Sequence, residues 1–530
     1  MSDAAAAGRA GTIPEQLAKR VEADPEAHMV SFDGGEWITV SQVQRRARQL
    51  AVGLFDHGIR PGDRVASIMS NRPEAVELFF ACAELGAVHV PLNVFLKGEF
   101  LRYQIADADP VVLLVDAAAL TMVRRLVADA GLSVSVIALD PTDEPVAGVA
   151  ELYVDGKRDW GPPTPDSLMS ILYTSGTTGL PKGCMINQGY FLHMPLAHMM
   201  FDWFTPDDTS ITTLPLYHGF GLSALMDALV AGCRVNYERE FSASSLVSRA
   251  RAVGATQLWA VGAIGAALLA TPPDERDRDH SIERAVFIPM APAAQQAFQD
   301  RFGVDVLAEG YGQTEVLPAT MGGVRPGRDQ PSCGKALPWL DVQVVDQHDN
   351  ILPVGQSGEI VVRPREPYSI FSGYWRKPEQ TLEAWQNLWH HTGDMGRFDE
   401  DGMLYYVDRK KDALRRRGEN VSSVELEQAI LKHPAVAAVA VHATPSELSE
   451  DDIKACIVLA GETPSMADLF EFFRSNLPYY AIPRYVEFID ELPVNAMGRI
   501  LKHKLREQWD TPGTVDLQTL GHTVSKAERR

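Results

Sequence analysis

The chain has 530 residues, 45% hydrophobic and 22% charged, with a net charge of −21 and a pI near 5.1. The length predicts roughly two to four units of ordinary domain size, and the composition predicts a large core. Such acidity argues against non-specific binding to nucleic acid or to anionic membranes, so neither is an expected partner.

The N-terminal "MSDAAAAGRAGTIPEQ" lacks the apolar stretch of a signal peptide. "VSQVQRRARQLAVGLFDHGI" follows, with Val43, Ala47, Leu50, Ala51, Leu54 and Phe55 at helical spacing and Gly58 as a stop signal. "RVASIMS" reads as a short strand, "PEAVELFFACAELGA" as a helix, and "VHVPLN", "VVLLVDA" and "VSVIAL" as buried strands. Strand–helix–strand order predicts a mostly parallel, covered sheet. Residues 141–168, rich in Pro, Asp and Gly, read as a surface connection. "VGAIGAALLA" (261–270) is the nearest approach to a membrane span and is too short. From about 334 the pattern turns β-rich, with "DVQVVD", "GEIVVRP" and "MLYYVDR" separated by the turns "DQHDN" and "FDEDG". After "VDRKKDALRRRGEN" come a helix "SVELEQAILKH", strands "VAAVAVHA" and "IKACIVLA", a helix "MADLFEFFRSNL" and a strand "YVEFID". The tail from about 510 has little apolar periodicity and is expected to be mobile. The expected fold is α/β, a large multi-sheet N-terminal domain (1–408) joined by a hinge (409–411) to a small, mobile α+β C-terminal domain (412–508) and a tail (509–530).

Five cysteines (Cys82, Cys184, Cys233, Cys333 and Cys456) form no CxxC pair, and their number is odd. They read as buried thiols of a reducing compartment rather than a disulfide framework or zinc site, and the expected location is cytoplasmic.

"ILYTSGTTGLPKG" (171–183) is the strongest local signal. An apolar strand runs into a loop with hydroxyl donors from Thr174, Ser175, Thr177 and Thr178, bends at Gly176, Gly179 and Gly183, and one cation, Lys182. Successive backbone N–H groups in such a loop form an anion nest. The spacing is not that of a Walker-type loop. On composition alone, a flexible surface loop is the other reading.

With this loop, "YGQTE" (311–315), "HTGD" (391–394), "DRKKD" (408–412) and "RRRGENVSSVELE" occur in order. Over about residues 12–507 the chain resembles the adenylate-forming acyl-CoA synthetases, which include peptide-synthetase adenylation domains and firefly-type luciferases. "GVRPGRDQPSCGKAL" looks most like the carnitine/crotonobetaine-type acyl-CoA ligases. The resemblance implies two half-reactions: a carboxylate attacks the α-phosphorus of ATP, giving acyl-AMP and pyrophosphate, and the CoA thiol then takes the acyl group and releases AMP.

Residue by residue, the resemblance implies that Ser175, Gly176, Thr177, Thr178 and Lys182, with Thr174, cradle phosphates. Thr314 would bind the α-phosphate, and Glu315 would hold Mg²⁺, for which a carboxylate is a suitable hard ligand. Glu309, Gly310 and Tyr311 would line the nucleotide, with Tyr311 stacked on adenine and Ala291-Pro292 opposite. Here the strip "IPMAPA" departs from the family's Gly-Gly-Ala-Pro. Asp394 would accept the ribose hydroxyls, assisted by Arg409. His218 and Tyr217, with Gly262, Ala263 and Gly312, would border the acyl pocket. Small residues in "AVGAIGAA" either leave room there for a bulky acid or permit tight helix packing. Lys411 would be the hinge, and the face with Arg415, Gly418 and Glu419 would serve thioester formation.

One position departs sharply. In "NAMGRILK" (495–502), Arg499 stands where the family has a lysine that meets the carboxylate and α-phosphate. A guanidinium keeps the charge but is planar, wider and delocalised. The resulting expectation is an acyl-CoA ligase that uses acyl-AMP and CoA well and adenylates weakly, supplied by a separate adenylating enzyme upstream. The alternatives are a complete two-step synthetase, with Arg499, Lys502 or Lys504 serving; a carrier-protein-loading adenylation enzyme; a luciferase-like oxygenase; and a non-catalytic adenylate-binding module.

Overall fold

The computed structural model describes residues 11–174, 180–290, 292–323, 332–409, 413–416, 419–446, 450–493, 500 and 502–524. Two compact units emerge. The larger gathers Met1–Asn93, Asp107–Leu172 and Gly183–Asp408, and the smaller gathers Val94–Ala106, Tyr173–Lys182 and Arg409–Arg530.

Strands in chain order are β1 (His28–Phe32), β2 (Ile38–Thr39), β3 (Arg64–Ile68), β4 (Val88–Leu92), β5 (Val112–Val115), β6 (Ser135–Ala138), β7 (Ala147–Gly148), β8 (Leu168–Thr174) and β9 (Lys182–Asn187). Then come β10 (Thr209–Thr212), β11 (Arg234–Tyr237), β12 (Gln257–Val261), β13 (Arg284–Ile288) and β14 (Asp305–Leu307). They form two seven-stranded sheets, ordered β7-β6-β5-β3-β4-β8-β9 and β14-β13-β12-β10-β11-β1-β2. The second is parallel apart from its β1–β2 edge. The predicted helix at 40–59 spans Val40–Asp56. It starts where Thr39 and Gln42 exchange side-chain-to-backbone bonds, and it buries the predicted stripe of Val43, Ala47, Leu50, Ala51 and Leu54.

β15 (Gly310–Gln313), β16 (Val316–Met321) and β17 (Lys335–Ala336) make a small antiparallel sheet. β18 (Leu340–Val345), β19 (Gly358–Pro364), β20 (Trp385–Gln386), β21 (Trp389–Phe398) and β22 (Leu404–Arg409) make another, as the β-rich pattern after 334 predicts.

The smaller unit has a hairpin of β23 (Ala413–Arg416) and β24 (Glu419–Ser422) and a sheet ordered β25 (Val436–Pro445), β26 (Asp451–Leu459), β27 (Tyr485–Phe488) and β28 (Val515–Asp516). Leu426, Ile430, Val441, Ile457, Leu469 and Phe473 form its core. For the described residues 509–524, the expectation of a mobile tail is corrected here. β28 pairs with β27, Leu517 is 1% exposed, and the buried Lys454 ammonium donates to Trp509 O at 2.6 Å and Thr514 Oγ1 at 2.8 Å. A short strand on a sheet edge, locked by a buried cation, leaves too little apolar periodicity to show in the sequence.

Four of the cysteines are buried, Cys333 is half-buried, and all five are free thiols. No described helix is long and apolar enough to cross a membrane.

His89, on β4, is 3% exposed, and burial pushes its pKa down to about 3. The unfolded chain therefore takes up a proton below about pH 6.5 that the folded chain refuses, so stability falls as pH drops through that window. The expected loss from His89 alone is ~2 kcal/mol at pH 5. Urea denaturation at pH 7 and pH 5 should show it, and His89→Gln should make the pH slope shallower by about one proton.

Candidate active site

In the sheet ordered β14-β13-β12-β10-β11, the chain lays β11 on one side of β10 and then places β12 on the other. Such a reversal opens a crevice beyond the carboxyl ends of the strands, where ligands of open α/β sheets bind. Candidates scattered through the sequence follow those ends: Tyr217 and His218 after β10, Gly262 and Ala263 after β12, Pro292 after β13, and Glu309 and Gly310 after β14.

His218 caps the helix Gly219–Val230, its Nδ1 accepting from Phe220 N at 3.2 Å. The ring is exposed. The cap fixes Nδ1 as the acceptor of the neutral ring, which places the proton on Nε2.

Gly262 opens the helix Gly262–Leu269, and a Cβ there would lie 1.7 Å from Pro289 O. One at Gly265 would sit 3.1 Å from the Phe287 ring, and one at Gly312 would sit 2.8 Å from Val316 O. Of the two readings of "AVGAIGAA", tight packing accounts for its two glycines, while Ala263 is half-buried. Gly262→Ala should be strongly destabilising, with an overpacking cost of ~1–3 kcal/mol or more. A fall in thermal midpoint with the acyl-site chemistry lost in parallel is the expected readout.

The β15–β16 hairpin and its turn carry Tyr311, Gly312, Thr314 and Glu315. Tyr311, 9% exposed, donates its hydroxyl to Asp394 Oδ2 at 2.8 Å. Gln313 Nε2 donates to the same oxygen at 2.7 Å and to Thr392 O at 2.8 Å. The adenine and ribose candidates are thus one hydrogen-bonded group, with Gln313 as a member not singled out from the sequence although it stands inside "YGQTE". Glu315 is 7% exposed, and Tyr374 donates its hydroxyl to Oε1 at 2.8 Å. Burial first, and then the Glu315 charge, hold the Tyr374 hydroxyl well above the ordinary range, so it stays a donor. Tyr190 donates to Thr314 O at 2.9 Å. Glu309 is buried.

A buried carboxylate oriented by a tyrosine fits a Mg²⁺ ion that takes one protein oxygen and completes its shell with phosphates and water. Among the described residues no group of three or more His, Cys, Asp or Glu could hold a metal by itself.

In the smaller unit, Thr174 donates to Lys182 O at 3.4 Å. Lys502 Nζ lies 2.6 Å from Glu427 and donates to Ser423 Oγ at 2.7 Å, while Lys504 is exposed. Ser175, Gly176, Thr177, Thr178, Ala291, Lys411, Gly418 and Arg499 lie outside the described residues, as do the side chains of Arg409, Arg415 and Glu419.

An open α/β sheet with its candidate residues beyond strand carboxyl ends, a hydrogen-bonded Tyr–Asp–Gln group and a small C-terminal domain together suit a nucleotide-binding enzyme of multi-sheet architecture. Residues 17–375 match the AMP-binding enzyme model and residues 425–499 match the AMP-binding enzyme C-terminal domain model. The chain belongs to the AMP-binding enzyme family, as its motifs predicted. It is similar to the crotonobetaine/carnitine–CoA ligases of Salmonella arizonae (31% identity, 88% of this chain and 92% of that one) and Salmonella typhi (33%, 85% and 89%). Among solved structures it is similar to a double mutant of o-succinylbenzoate CoA synthetase from Bacillus subtilis bound to a product analogue, with a TM-score of 0.80, 25% identity and coverage of 93% and 98%. The amide bond synthetase McbA from Marinactinospora thermotolerans gives a TM-score of 0.81, 27% identity and coverage of 94% and 99%. The enzyme is of the AMP-forming acid–thiol ligase type, a family in which ATP and CoA use is typical.

Proposed function

We propose that this protein transfers the acyl group of an acyl-adenylate to CoA, and that its own adenylation step is weak. The observation that carries this is Arg499 in "NAMGRILK", beside the matching "YTSGTTGLPKG", "YGQTE", "HTGD" and "DRKKD" motifs. Joining a carboxylate to an α-phosphate brings two anions together, and a compact ammonium offsets that repulsion where a wide, delocalised guanidinium meets the oxygens in a different geometry. Lys502 does not stand in readily, because its ammonium is engaged by Glu427 and Ser423.

Tyr311, Gln313 and Asp394 would hold the AMP moiety, and Thr314 the α-phosphate. Bound Mg²⁺ would supply charge neutralisation at Glu315. His218, at the start of its helix, would face the acyl group. Rotation of the small domain about Lys411 would bring the face with Arg415, Gly418 and Glu419 to the site for thioester formation. By the resemblance Arg499 would belong to the other face, so that step would not depend on it.

A complete two-step synthetase is the second reading, favoured by the retained charge at 499 and by exposed Lys504. Incubation with candidate acids, ATP and Mg²⁺ separates the two. Slow pyrophosphate release, with rapid acyl-CoA formation from synthetic acyl-AMP and CoA, is expected. Rapid pyrophosphate release would establish the second reading.

A further inference from the structure

Asp394 does not sit on a regular strand. β19 and β21 pair Glu359 with Met395 and Val361 with His391, so Thr392, Gly393 and Asp394 together face Ile360 alone. A bulge of this kind aims a side chain away from the ladder and leaves backbone donors without ladder partners. Side chains supply those partners. Thr392 Oγ1 donates to Ile360 O at 2.7 Å and accepts from Asp394 N at 3.2 Å. Glu359 Oε1 accepts from Gly393 N at 3.1 Å. Gly393 stands at φ +71°, a left-handed conformation that glycine adopts without strain.

Glu359 is 7% exposed, an acid inside the apolar strand "GEIVV". Its second oxygen, Oε2, lies 3.1 Å from His391 Nδ1, and His391 Nε2 lies 3.7 Å from Asp349 Oδ1. One carboxylate thus grips the bulge at Gly393 and two residues upstream at His391. A charged acceptor makes the stronger kind of hydrogen bond, and its burial shields it from competing water.

We propose that Glu359 is a positioning residue of the nucleotide site, setting the Thr392–Asp394 bulge so that the Asp394 carboxylate meets the ribose hydroxyls. This rests on the reading of Asp394 as the ribose acceptor. Glu359 acts through Asp394, so its removal costs ribose recognition specifically.

The test uses the full-length protein and calorimetric titration with AMP and with 2′,3′-dideoxy-AMP. The native protein prefers AMP, and Asp394→Asn abolishes the preference. Glu359→Ala and Glu359→Asp, the latter keeping the charge one methylene short of Gly393 N, reduce the preference about tenfold while dideoxy-AMP affinity stays within about twofold. Glu359→Gln keeps an acceptor for Gly393 N and retains the preference. Should Glu359→Ala misfold, Glu359→Asp carries the test. An unchanged preference in Glu359→Asp overturns the proposal, as does an equal loss of both nucleotides. A preference that survives Asp394→Asn overturns the ribose reading and this proposal together. One lost in Asp394→Asn but intact in Glu359→Asp overturns Glu359 alone.

Discussion

Arg499→Lys should raise pyrophosphate release from ATP and the cognate acid by ~10²–10³-fold, the usual worth of one well-placed electrostatic contact in a transition state. Acyl-CoA formation from acyl-AMP and CoA should stay within about twofold, because an interaction made in only one half-reaction leaves the other unchanged when removed. Lys504 is the internal control. It is exposed, whereas Lys502 is 12% exposed and paired. If Lys504 served in place of residue 499, Lys504→Ala would abolish residual adenylation and Arg499→Lys would add nothing. Under the weak-adenylation reading, Lys504→Ala leaves adenylation unchanged and Arg499→Lys restores it. Fast release by the native protein, or no gain in Arg499→Lys, would sink that reading.

The elements that sequence made legible are those with strong periodicity or local signatures. The helix at Val40–Asp56 and the strands Arg64–Ile68 and Val88–Leu92 lie where apolar spacing and capping chemistry put them. "YGQTE" and "HTGD" were visible as motifs, because close approach to a nucleotide needs particular residues in a short run. What stayed hidden is long-range. Glu359 and Gly393 are 34 positions apart and meet only through the β19–β21 register, and Tyr374 reaches Glu315 across 59. A lone acid in "GEIVV" was a signal of a buried partner, but its identity is set by pairing. The packing glycines were ambiguous for the same reason: that Gly262 faces Pro289 O and not a ligand depends on where β13 lies. The tail was misread because its anchor, Lys454, sits on another strand.

The second large effect is expected at Asp227. Asp227 lies in the helix Gly219–Val230, which begins at the His218 cap. Both its oxygens lie 2.8–2.9 Å from His198 Nδ1, and the two side chains are 0% and 4% exposed. His198 stacks on Trp203 at 5.7 Å and meets the Trp259 ring at 5.0 Å, while Trp259 Nε1 donates to Phe220 O at 3.0 Å. The chain of contacts therefore runs from a buried polar pair, through an aromatic cluster, to the first turn of the helix that carries His218. Burial, the largest influence, raises the Asp227 pKa, and His198 opposes it. Asp227→Ala leaves a buried imidazole without its acceptor and should cost ~3–5 kcal/mol. Asp227→Asn keeps an oxygen for Nδ1–H and, as a near-isosteric neutral pair, should cost less than ~2 kcal/mol. Denaturant unfolding of both variants checks this. Because the pair is linked to the first turn of that helix through Trp259, folded Asp227→Asn protein should retain thioester formation from acyl-AMP, whereas Asp227→Ala should lower it along with stability. Equal damage by both substitutions would mean that the charge, and not the acceptor, holds the helix Gly219–Val230 to the helix Gln188–Met200 that carries His198, and Asp227→Ala stability matching the native protein would mean that the aromatic cluster supports the helix without the pair.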